Sequence, residues 1–161
     1  MVSPMTTAVS RSTPPQRLIN LMNPLVRAIL RSPLHAAADK ALLILHLTGR
    51  RTGRRYDIPV GYVELDGRFI VVTQHTWRSN LRGGADVEVT HAGRRQPMHA
   101  DLDEEPASVA ATLHAVIERI GWRAARRQIG LTINVGRTPT SGELEQAVRE
   151  YHLATVTLAA Q

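Results

Sequence analysis

The chain has 161 residues, 43% hydrophobic and 21% charged, which fits one globular domain with a real core and excludes disorder throughout. It contains no cysteine, so disulfides and thiolate metal sites are excluded. The net charge of +6 is unevenly placed: residues 1–55 carry nine basic side chains against Asp39 alone, while residues 56–161 are slightly acidic. Such an asymmetry predicts an anionic partner at a defined place rather than a general affinity for nucleic acid.

Residues 1–13 are polar, Pro-punctuated and without the apolar run of a secretory signal; they read as a disordered tail before one domain over 14–161. No stretch approaches the roughly 20 apolar residues that cross a bilayer, so a cytoplasmic protein is expected. From Pro14 and Pro15 an apolar stripe of Leu18, Met22, Leu25, Val26, Ile29 and Leu30 predicts an amphipathic helix, with Arg17, Arg27 and Arg31 off the stripe. A basic helix of this kind either packs on the domain or lies on an anionic membrane surface. A short helix or turn is expected around residues 32–40.

The period then changes to strands. Residues 41–48 form a continuous apolar run, a buried strand ending at Gly49. Gly49-Arg50-Arg51-Thr52-Gly53-Arg54 reads as a basic turn leading into a second strand over 55–65. Asp66-Gly67 is a two-residue hairpin signal, and residues 68–74 return as a third strand. Residues 75–84 read as a loop with one helical turn. Asp86 to Thr90 alternates cleanly, Ala92-Gly93 turns, and residues 95–102 pair back with Met98, Ala100 and Leu102 on one face.

Asp103 is the expected cap of a helix bearing Val109, Leu113, Ile117 and Ile120 at helical spacing. Gly121 interrupts it, and residues 122–128 continue as a short basic segment. Ser141 is the expected cap of a last helix through Tyr151, and residues 154–158 close the chain as a strand. Five or six strands joined by hairpins, with helices at both ends, indicate an antiparallel α+β barrel.

Two motifs taken together carry a resemblance: the Gly-Arg-Arg-Thr-Gly turn at 49–53 and Trp77-Arg78-Ser79-Asn80-Leu81, with Ile58-Pro59-Val60-Gly61-Tyr62 between them. The chain resembles the deazaflavin (F-420)-dependent nitroreductases of the flavin/deazaflavin oxidoreductase superfamily, over about residues 25–103. The resemblance implies the FMN-binding split β-barrel shared with pyridoxamine phosphate oxidases. It implies that Arg50, Arg51, Thr52 and Arg54 hold the phosphate and acidic tail of the deazaflavin. Guanidiniums, a hydroxyl and glycine-freed amides suit that task chemically. Pro59, Val60 and Gly61 correspond to the strand along the ring, Thr73 and Gln74 to further phosphate contacts, and Trp77 and Asn80 to residues near the ring.

A deazaflavin passes a hydride from carbon to an electron-poor acceptor such as a quinone, enone or nitro compound, so the protein needs no nucleophile. Tyr62 and His75 are the candidate proton donors; no metal-ligand spacing is present. The resemblance also implies a homodimer. Before Trp77 the segment Thr73-Gln74-His75-Thr76 lacks the lysine and glycines usual in the family. Two alternatives on the same barrel therefore stay open: FMN in place of F-420, or a non-catalytic binder of lipid, fatty acid or another small molecule.

Overall fold

The computed structural model describes residues 7–11 and 42–161. The expected amphipathic helix and the turn at 32–40 lie outside them.

Strand β2 (Leu42–Thr48) is buried on both faces through Leu43, Ile44 and Leu45, as its continuous apolar run predicts, and farther along Leu47 stays buried while His46 is half-buried on the other face. It pairs antiparallel with β3 (Arg55–Gly61), opposing Leu45 to Ile58 and His46 to Asp57. After β3 come β4 (Val63–Leu65), β5 (Arg68–Thr73), a 3-10 helix (Thr76–Leu81), β6 (Ala85–His91) and β7 (Arg94–Asp103). Helices α1 (Pro106–Ile120) and α2 (Ala125–Ile129), strand β8 (Leu131–Ile133), helix α3 (Ser141–Tyr151) and strand β9 (Ala154–Ala160) complete the described chain. Both expected hairpin turns form with the positive φ that two-residue turns require, 51° and 74° at Asp66-Gly67 and 52° and 70° at Ala92-Gly93.

Seven strands form one antiparallel sheet in the order β3-β2-β6-β7-β9-β5-β4. Strands β3 and β4 are its two edges, yet only Tyr62 separates them in the chain. The sheet therefore curls until its edges approach, and the product is an antiparallel split barrel of the α+β type. The single strand expected over 55–65 is two strands on opposite edges. No sequence signal marks this corner, because Tyr62 continues the alternation of Ile58 and Val60.

Leu43, Leu45, Val71, Val89, Met98, Val156 and Leu158 fill the barrel interior. Outside it, α1 and α3 bury Val109, Leu113, Ile117, Leu144 and Val148 against Val63 and Ile70 of the wall. The same layer contains strand β1 (Val9–Arg11), paired with Leu131–Ile133. Val9 is 1% exposed, so part of the segment read as a tail is anchored by an apolar side chain.

Two caps differ from expectation. Glu105, not Asp103, caps α1 by accepting from the Ala107 and Ser108 amides, because Pro106 suits the first helical position. Thr140, not Ser141, caps α3 in a reciprocal capping box with Glu143.

Candidate functional site

The basic turn is a closed loop of backbone bonds: the Gly49 amide donates to the Arg54 carbonyl at 2.8 Å, and the Gly53 amide donates to the Gly49 carbonyl at 2.9 Å. Gly53 has φ 68°, which its missing Cβ permits. The turn is tied down from outside. The Arg50 amide donates to Asn80 Oδ1 at 3.0 Å, its guanidinium donates to the Arg82 carbonyl at 2.5 Å, and Asn80 Nδ2 donates to the Trp77 carbonyl at 2.9 Å.

These contacts shape a cleft of about 660 Å³ between the turn and the 3-10 helix. Arg50, Arg51, Thr52, Gln74 and Asn80 line it, five of the residues expected from the sequence. Arg78, quoted in the Trp77–Leu81 motif but given no role there, and Arg82, which the sequence did not single out, line it too. Their spacing of four residues was the available signal. Glu104 binds both, at 3.0 Å from Arg78 Nε and 2.9 Å from Arg82 Nε, and this pairing holds its carboxyl below the usual range. No carboxylate is among the described residues lining the cleft.

The other expected residues are placed differently. Arg54 is exposed on the turn but does not line the cleft. Thr73 is 2% exposed, and its hydroxyl accepts the His75 amide. Trp77 packs half-buried against the barrel interior. Val60 faces that interior beside Leu43, whereas Pro59 and Gly61 face outward farther along β3. Tyr62 sits at the barrel corner, where its hydroxyl meets His91 Nε2 at 2.6 Å and its ring packs on Phe69. His75 is exposed; partial loss of solvation lowers its pKa, and the charges of Arg11 and Arg78 lower it further.

A second recess, of about 580 Å³, shares Arg50, Tyr56 and Asn80 with the cleft and continues over His46, Asp57 and Glu88. There His46 Nδ1 meets Asp57 Oδ1 at 2.6 Å and its Nε2 meets Thr90 Oγ1 at 2.8 Å. Among the described residues no group of three or more His, Asp or Glu could hold a metal ion, and no helix is long and apolar enough to cross a membrane.

A model of the F420H(2)-dependent quinone reductase family matches residues 33–137. The chain belongs to that family. The match spans the turn, β2 to β7, α1 and α2, so the cleft lies wholly inside it. No curated protein matches the chain. A solved structure described as a domain-swapped dimer is similar over 88% of this chain and 98% of its own, with 15% identity and a TM-score of 0.43.

Proposed function

We propose that the chain is an oxidoreductase that takes a hydride from reduced F-420 and delivers it to an electron-poor acceptor such as a quinone, enone or nitro compound. One observation carries the reading: the Arg50 and Arg51 guanidiniums, a threonine hydroxyl and an asparagine amide line a cleft with no described carboxylate in its lining, beside Arg78 and Arg82, which Glu104 already pairs. That donor set fits a phosphate diester, which accepts bidentate pairs from arginine. Arg50, Arg51 and Thr52 would hold it, with Gln74 and Asn80 positioning and Arg54 at the rim. Strand β3 then runs about 20 Å from the turn to Gly61, at roughly 3.3 Å per residue, a length suited to a ring system anchored by its phosphate.

Reduced F-420 supplies the hydride, two electrons with one hydrogen, and the acceptor takes up one further proton. His75, shifted toward its neutral form, is a poor donor of that proton near neutral pH, and water takes the part in this reading. The family membership also favours a homodimer, which sedimentation of the purified protein would check.

The test is a fluorescence titration with F-420, with FMN in parallel and an Arg50→Ala/Arg51→Ala variant as control. Micromolar F-420 binding weakened at least about tenfold in the variant is the expected result. Binding of FMN alone would transfer the site to that cofactor. Binding of neither would sink the oxidoreductase reading in favour of a non-catalytic binder.

A further inference from the structure

Outside the cleft, a recess of about 600 Å³ lies on the outer side of the barrel corner. That volume is within the range of about 300–1,000 Å³ usual for small-molecule sites. Its floor is apolar and small, built from Leu42, Gly61, Val72 and Ile129. Its wall is Arg11, Arg123, Arg126 and Arg127, brought together from β1 and from the chain around α2. No carboxylate is among its described lining residues.

Four guanidiniums around one recess repel one another unless an anion sits between them. Arg11 is half-buried. One of its terminal nitrogens donates to the Ile129 carbonyl at 2.8 Å, while its Nε is buried with no hydrogen-bond partner. Burial lowers its pKa, so the fold bears a desolvated cation there. Arg123 is braced 4.4 Å over the Trp122 ring. Arg126 and Arg127 are exposed and carry no ion pair with a described residue.

Gly61, on the recess floor, ends the strand that begins beside the arginine turn, about 20 Å away. A phosphate cannot occupy both ends. We propose that this recess binds the carboxylate, or an equivalent anionic group, of the electron acceptor, so that the substrates are planar anions rather than neutral quinones. The assignment rests on the reading of the first cleft as the cofactor's phosphate site. Apolar floor and arginine wall match an aromatic acid: the rings pack on Leu42, Val72 and Ile129 while the carboxylate pairs with guanidiniums.

Calorimetric titration of the cofactor-free protein with anthraquinone-2-carboxylate and with the matching neutral carboxamide tests this directly. The carboxylate should bind about tenfold tighter than the amide, and the preference should vanish in an Arg126→Gln/Arg127→Gln variant. An Arg126→Lys/Arg127→Lys variant should keep part of it, because charge survives but the bidentate fork does not. F-420 affinity should stay within about twofold of wild type in the glutamine variant. Equal binding of acid and amide, or a preference that survives in the glutamine variant, overturns the proposal. A tenfold fall in F-420 affinity there also overturns it, since the arginines would then serve the cofactor's own acidic tail. A carboxylate preference in a protein that binds no F-420 would sink the proposed function and the acceptor role with it, leaving an anion site.

Discussion

The Arg50 amide donates to Asn80 Oδ1 at 3.0 Å, so two residues thirty positions apart tie the two walls of the cleft together. Asn80 also spans the 3-10 helix through the Trp77 carbonyl, and each wall of the cleft therefore orients the other. Asn80→Ala removes both bonds without touching a guanidinium. F-420 affinity should fall about five- to tenfold, near the 1 kcal/mol worth of one hydrogen bond, while the thermal midpoint changes little. A titration beside a melting curve separates the two effects; a large drop in midpoint with unchanged affinity would refute the positioning role.

Tyr62 tests a different point. Its hydroxyl is engaged by His91 at the barrel corner, and its ring lies 4.9 Å from that of Phe69. Tyr62→Phe should cost about 1 kcal/mol of stability and leave kcat within about twofold. A fall in kcat of a hundredfold or so would instead make it the proton donor.

Glu143 predicts a pH dependence. The Arg137 side chain, then the Thr140 amide, pull its carboxyl from the usual 4.5 down to about 2. A depressed carboxyl stabilises the fold above its unfolded pKa, and the contribution is lost as pH falls through the folded value. Glu143→Gln should therefore melt below wild type near neutral pH, and the two curves should converge as pH falls from about 4.5 toward 2. Parallel melting curves across that range would contradict it.

Leu113 is fully buried between the two long helices and the barrel wall. Leu113→Ala should cost about 3 kcal/mol in chemical denaturation, the usual toll of a large core truncation. A cost under about 1 kcal/mol would mean that the outer layer collapses around the gap.

The sequence made the local devices legible. The apolar run of β2, the alternation in β6, both two-residue turns and the spacing of Val109, Leu113 and Ile117 all depend on neighbours along the chain. The misses are long-range. Nothing near Tyr62 shows that the next three residues pair on the opposite edge, and nothing near Val9 shows that Leu131–Ile133 will receive it. The cleft divides the same way. The turn and Asn80 stood out as motifs, whereas the Glu104 bridge to Arg78 and Arg82 and the gathering of Arg11 with Arg126 and Arg127 exist only in three dimensions.

Pro59 lies in the edge strand β3, opposite Ile44. A proline offers no amide hydrogen to a newcomer, and the other edge, β4, is three residues long with Glu64 exposed. Neither margin is a good template for another strand. Strand-by-strand growth from either margin of this sheet, the kind that seeds fibrils, is therefore disfavoured.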